Sequence, residues 1–356
     1  MKHIILSIAA FALSLCALAQ PVRLVGGLSF QGAIINDEFD VSNCELAKSG
    51  TLAAFNLTPH IGLRFGEGHQ IKTGFNVTRD FGTTGDKPSF ELAAWYQYNN
   101  RNGFTLAAGI FPYSMLGGRY SSAIFSDAAR FYDVYVDGFL LRYNKGKSNY
   151  ELALDWTSKF GETRHEQFIF LSAGEAWFTS WLALCWEGVF HHYACSVQQD
   201  GVYDDHLFHP YLQMEFSSLL PLQRLELSAG GMIGYQKDRK RDWFYTPKGA
   251  DVVLEIRNWN FGVRNQFYYG DNQLPLYETN PDMYFRATWW QVRKDDLPGL
   301  YNNLDCYWTK SLNSYVTLGL HAAFHFDRLG YLGCQQFFQA SVNLDKLSIA
   351  KSSKKK

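Results

Sequence analysis

Charge is scarce in this 356-residue chain: Asp, Glu, Lys and Arg together make up 19%, below the roughly 25% of ordinary soluble domains. The two signs nearly cancel, 33 Lys+Arg against 34 Asp+Glu for a net charge of −1. That balance excludes a nucleic-acid binder held by bulk charge. After residue 19 no apolar run is long enough to cross a membrane as a helix. Only 10 residues are proline, so long strands can run unbroken. Catalytic signatures are missing as well: no Gly-x-Ser-x-Gly elbow, no phosphate loop, no His-Glu-x-x-His and no cysteine cluster with metal spacing. The expectation from these absences is a protein that is not an enzyme, with no cofactor, no metal and no catalytic residue; an outer-membrane hydrolase or acyltransferase is the minor alternative.

Aromatic residues are abundant instead, with 10 Trp, 21 Tyr and 28 Phe. A chain 47% hydrophobic is not disordered, and one rich in aromatics but poor in charge suits a membrane β-barrel. Met1-Lys2-His3, the apolar run Ile4 to Leu15 and the small residues of Ala17-Leu18-Ala19 read as a signal peptide over 1–19. Five further cysteines follow, at 44, 185, 195, 306 and 334. Their odd number and irregular spacing make them packing residues rather than a disulfide or metal framework.

Period-two alternation dominates the rest. Ala53, Phe55, Leu57, Pro59, Ile61, Leu63 and Phe65 alternate with polar or small neighbours, as do Val316, Leu318, Leu320, Ala322, Phe324 and Phe326. Such runs reach ten to fourteen residues, against about five or six for soluble strands and about nine to eleven for a tilted membrane strand. Strands are expected near 22–34, 51–65, 69–81, 89–99, 103–112, 131–143, 148–158, 164–173, 177–195, 206–216, 222–235, 250–257, 260–269, 300–309, 314–326 and 331–345. That is an all-β, antiparallel transmembrane barrel of sixteen strands, or eighteen if the segment 283–293 also crosses. Short links such as Gly66-Glu67-Gly68 alternate with long ones, which places the short turns in the periplasm and the long loops outside. The barrel domain spans 20–347, and 348–356 is a basic periplasmic tail.

The signal peptide, even strand count and girdle aromatics resemble the porin-like outer-membrane barrels of Gram-negative bacteria. Gly109-Ile110-Phe111-Pro112, Gly117-Gly118-Arg119-Tyr120 and Phe125-Ser126-Asp127 are similar to uncharacterised Bacteroidetes members. So are Glu151-Leu152-Ala153-Leu154-Asp155-Trp156 and Arg164-His165-Glu166-Gln167-Phe168. The resemblance implies a channel in the cell outer membrane for diffusion of small polar solutes, sugars or weak cations among them, with outer-membrane lipid and lipopolysaccharide around it and a homotrimer left open. The alternative is a plugged barrel serving as an enzyme or surface binding partner; a lumen packed by loops together with a rim His–Asp constellation would favour it.

If the apolar phase faces lipid, the other phase lines the pore. That gives Asp133, Asp137, Glu151, Asp155, Arg164, Glu166, Glu187 and His191 on the sixth to ninth strands, and Arg224, Glu226, Glu255, Arg257 and Arg264 on the eleventh to thirteenth. The first group reads as an acidic wall with weak cation preference. Tyr284, Arg286, Trp289, Trp290 and Arg293 form an aromatic, basic segment suited to contact a solute at the mouth. The basic run Lys237 to Arg241 would meet lipopolysaccharide phosphates from outside. His191, His192 and His209 near Asp204 and Asp205 are the one catalytic or metal-binding candidate.

Overall fold

The computed structural model describes residues 22–39, 49–82, 87–125, 127–163, 165–195, 201–272 and 298–344. The signal peptide expected over 1–19 and the tail over 348–356 lie outside them. The strands are β1 (Arg23–Phe39), β2 (Gly50–Phe65), β3 (His69–Asp80), β4 (Ser89–Asn99), β5 (Phe104–Pro112), β6 (Tyr135–Lys145), β7 (Ser148–Ser158), β8 (Gln167–Trp177), β9 (Leu182–Tyr193) and β10 (Tyr203–Glu215). They continue as β11 (Arg224–Asp238), β12 (Trp243–Tyr245), β13 (Lys248–Asn258), β14 (Phe261–Gly270), β15 (Gly299–Ser311), β16 (Val316–Asp327) and β17 (Gly330–Asn343). The three-residue β12 only extends the outer end of β11, pairing Gln236 with Tyr245 and Asp238 with Trp243. Without it, sixteen strands form the wall.

Each strand pairs antiparallel with its neighbour, and β1 pairs with both β2 and β17, from Ser29↔Asn343 to Phe39↔Gly333. The sheet therefore closes, and no backbone edge is left in the hydrocarbon. β14 pairs directly with β15, from Phe261↔Trp308 to Gly270↔Gly299, so the ring of described strands closes here; the segment 283–293 lies outside the described residues. Sixteen, not eighteen, is the count. Alternation explains why these segments cross. Ile61, Leu92, Leu152, Leu212, Val252 and Phe267 all lie exposed on the outer face, Leu92 by 68%. A belt of that kind around the whole circumference belongs in lipid.

The tight turns depend on glycine. Gly68 has φ +100 and Gly103 φ +89, and a Cβ at either would sit within 2 Å of a carbonyl oxygen on the adjoining turn, that of Asn99 or Asn144. Only glycine combines this backbone with that approach. The long β5–β6 connection is different. It opens with a 3-10 turn, Tyr113–Met115, and ends in a short helix, Asp127–Tyr132. The helix replaces the start of the sixth strand expected from residue 131.

Candidate functional site

The β5–β6 connection folds into the barrel, and the wall carboxylates hold it there. Glu151 of β7 accepts from the backbone N–H of Gly117 at 2.6 Å and of Gly118 at 3.1 Å, and from the Tyr120 hydroxyl at 3.0 Å. Glu187 of β9 accepts from Ser121 N–H at 2.5 Å, and Asp155 of β7 from the Tyr113 hydroxyl at 2.8 Å. Arg119 reaches Glu175 of β8 at 2.7 Å and Glu226 of β11 at 3.2 Å. On the far side Asn56 of β2 donates to the Phe131 carbonyl and the Tyr132 hydroxyl to Asp80 of β3. The loop thus spans the lumen.

Apolar packing accompanies this docking. Val136, Leu140 and Leu171 are fully buried on the inner face, in one cluster with Phe111 and Tyr120. A second cluster joins Ala123 of the loop to Phe39 of β1, Leu207 of β10, Met232 of β11, Tyr268 of β14, Tyr301 of β15 and Leu332 of β17. Those strands belong to an arc of half the wall, with β10 and β1 at its two ends. Asp133, at the end of the loop, has its carboxyl pushed up to about 8 by burial and by the charges of Asp155, Glu91 and Asp137.

The expected pore lining divides accordingly. Asp155, Glu187 and His191 share the inward phase, as do Glu226, Glu255, Arg224 and Arg264 around a cavity, and Arg257 is paired with Arg224 in register. Asp133 is on the loop instead of a strand. Asp137 does not line the lumen: Val136 and Leu140 of β6 take the inward phase, and Asp137 is exposed beside Trp156 and Lys159. The strand begins later than expected, and the loop demands apolar partners inside, so the polar phase faces out there. Glu166 precedes β8, with its carbonyl accepting from Ala194. Arg164, Tyr284, Arg286, Trp289, Trp290 and Arg293 lie outside the described residues.

A second group of side chains faces the other way, at the outer ends of β8 to β11. On β9 the outward phase runs through the exposed Leu184 and Phe190 to His192; on β10 it runs from Asp204 through His206 to the exposed Phe208 and Leu212. His192 Nδ1 and Asp204 Oδ1 are 2.9 Å apart. Arg239, just beyond β11, donates from Nε to Asp204 Oδ2 at 2.5 Å and from its terminal nitrogen to Oδ1 at 2.8 Å. The hydrogen bond to Asp204 raises the guanidinium's pKa further. Phe168 stacks on His192 at 5.0 Å and on Trp156 at 5.1 Å, while His206 stacks on Tyr235 at 5.5 Å. Lys237 lies opposite Asp204 in register. Beside Trp156 a cavity of about 450 Å³ is lined by Asp137, Thr157, Ser158 and Lys159. Of the three histidines singled out in the sequence, His192 joins this outward group. His191 and His209 point inward, His209 between Glu187 at 2.8 Å and Asp251 at 2.7 Å.

A third group is not marked by any catalytic spacing in the sequence. Asn36 Oδ1 accepts from the Thr51 hydroxyl at 2.6 Å and Asn36 Nδ2 donates to Glu38 at 2.9 Å, at the outer ends of β1 and β2. It lies half the barrel's circumference from His192, so the two do not form one site. Its only signal in the sequence is the polar Asn36-Asp37-Glu38 interrupting an apolar strand.

Comparisons with known proteins address both fold and chemistry. OmpTdeltaL8, a loop L8 deletion mutant of OmpT, an outer membrane protein of Vibrio cholerae, aligns over 90% of this chain and 99% of its own with TM-score 0.56 and 8% identity. OccAB4 of Acinetobacter baumannii covers 91% and 98% with TM-score 0.52 and 10% identity. These likenesses establish an outer-membrane barrel fold. No curated relative matches the chain. Residues 29–288 match the model of the family described as Lipid A 3'-O-deacylase-type. That is an enzyme activity, and it corrects the expectation, drawn from missing soluble-enzyme motifs, that the chain carries no chemistry.

Proposed function

The chain belongs to the lipid A 3'-O-deacylase-type family, and on that footing we propose that it hydrolyses an acyl ester of a lipid A-like glycolipid in the outer leaflet. The observation that carries this reading is the orientation of the His192–Asp204 pair. An enzyme acting on a lipid needs its acid–base group on the outer wall at headgroup depth, and this pair sits on the outward phase at the external ends of β9 and β10.

His192 is the general base. Asp204 accepts the hydrogen bond from Nδ1–H, which fixes the tautomer and leaves Nε2 to take a proton from water. The hydroxide attacks the ester carbonyl, the sugar oxygen leaves and takes up the proton, and the products are a fatty acid and a free sugar hydroxyl. Arg239 holds Asp204 by both oxygens and keeps it anionic. Lys237, Arg239, Lys240 and Arg241 provide cations for headgroup phosphates. The cavity beside Trp156 and Lys159 offers an aromatic face and a cation to the sugar. Below it, Phe190, Phe208 and Leu212 present an apolar face to the acyl chains.

Solute diffusion through the lumen is the lesser reading, because the crossing loop occupies the acidic wall that would have selected solutes. The test is direct. Purified protein in detergent is incubated with lipopolysaccharide, and lipid A is read by mass spectrometry. Loss of one ester-linked acyl chain is expected, and its absence in His192→Ala. Unchanged lipid A with folded wild-type protein refutes the reading.

A further inference from the structure

Below the loop, the lumen holds a cavity of about 150 Å³ whose polar lining has donors left over. A water needs about 10–15 Å³ on such a measure, so the space suits roughly ten waters or one small polar molecule. Gln213 of β10 and Gln266 of β14 both line it, and they are 1% and 2% exposed. The side-chain nitrogen of each has no hydrogen-bond partner. Buried amide donors are rarely left so.

Their orientation is fixed. Arg119 donates to Gln213 Oε1 at 3.0 Å, and Arg264 donates to Gln266 Oε1 at 3.2 Å. A guanidinium has no acceptor, so neither amide can turn over without setting NH₂ against an arginine. Two amide donors are thereby presented to the cavity.

The charges around them are largely committed to one another. Glu226 is paired with Arg119 and Arg224, and Glu255 with Arg224 and the Tyr307 hydroxyl. Glu187 and Asp251 both hold His209. Four carboxylates face three arginines and that histidine, which leaves no strong excess for an ion. What is presented is neutral donors, carboxylate lone pairs not yet used, and the ring of Tyr211. Hydroxyl groups satisfy both kinds of partner, since each donates and accepts.

We propose that this lumenal cavity binds a neutral polyhydroxylated solute of monosaccharide size, with Gln213 and Gln266 as its two principal donors. The site is independent of the outward-facing His192 group and of any activity there. Its probe is methyl β-D-glucopyranoside, titrated against the full chain in detergent by saturation-transfer NMR. Saturable binding in the millimolar range is expected. Gln213→Met and Gln266→Met keep the side-chain length and remove the amide, and each should weaken binding about tenfold while unheated gel mobility still reports a closed barrel. Absence of binding up to 50 mM overturns the proposal, as does binding unchanged in both folded variants. Glucuronate binding more than tenfold tighter than the glucoside would overturn the neutral class in favour of an anion site.

Discussion

Replacing Glu151 by alanine should open the barrel. Glu151 has a fully buried side chain and accepts three hydrogen bonds from the lumenal loop, from Gly117, Gly118 and Tyr120. Hydrogen bonds to a charged partner contribute about 1.5–3 kcal/mol each, but they are not additive, and the loop keeps its contacts with Glu187, Asp155 and Arg119. Removing one member of a buried charged network costs about 3–5 kcal/mol, or roughly 10²–10⁴ in the ratio of docked to undocked loop. The wall itself should persist, because the strand ladders do not involve this side chain. Single-channel conductance in planar bilayers measures the outcome: rare, small events for the wild type and frequent, larger ones for Glu151→Ala. Glu151→Gln retains one acceptor oxygen and should fall between. A folded Glu151→Ala protein, compact on unheated gels but with wild-type conductance, would show that the carboxylate does not hold the loop.

Three further outcomes follow from the same geometry. Asp133 carries a carboxyl raised from 3.8 to about 8, so its neutral form favours the docked loop. Docking is strongest below the ordinary carboxylate value and weakens as pH rises towards 8; conductance should increase over that span, and Asp133→Asn should flatten the profile. His192→Ala should lower the deacylation rate by about 10²–10⁴, and Asp204→Asn should lower it too with barrel yield unchanged; wild-type rates in both variants would remove the pair from the chemistry. Leu154→Arg puts a charge on the outward phase halfway along β7, at a cost of about 2–4 kcal/mol near the midplane, and should reduce the yield of heat-modifiable barrel.

Strands were legible wherever both faces obeyed the alternation. β4 over 89–99 and β7 over 148–158 fall where the pattern puts them, since lipid outside and polar groups inside impose the same period-two rule. The pattern misled at residues 131–134. Phe131, Asp133 and Tyr135 alternate like a strand, but Asp127–Tyr132 is a turn and a half of helix. Its Phe131 carbonyl is taken by Asn56, 75 residues away. No local signal reports a partner that distant. The outward site was half legible. Proximity of histidines and aspartates marked the β9–β10 hairpin, yet only register decides that His192 meets Asp204 outside while His191 turns in.

The lumenal acids show why phase alone does not give function. A carboxylate on the inward phase reads the same in sequence whether water or protein lies in front of it. In a water-filled pore it stays solvated and its field selects ions. With a loop in the lumen the same group must find donors or incur the cost of an unsatisfied buried charge. Glu151 and Glu187 are in the second situation, with the N–H groups of Gly117, Gly118 and Ser121 supplying the donors. The companion sign is apolar. Val136, Leu140 and Leu171 would be unfavourable against water, yet on the inward phase they are fully buried. Branched apolar residues on the lumenal phase of two nearby strands, beside a long connection containing Gly-Gly, therefore mark a docked loop. They turn that part of the pore lining into a core.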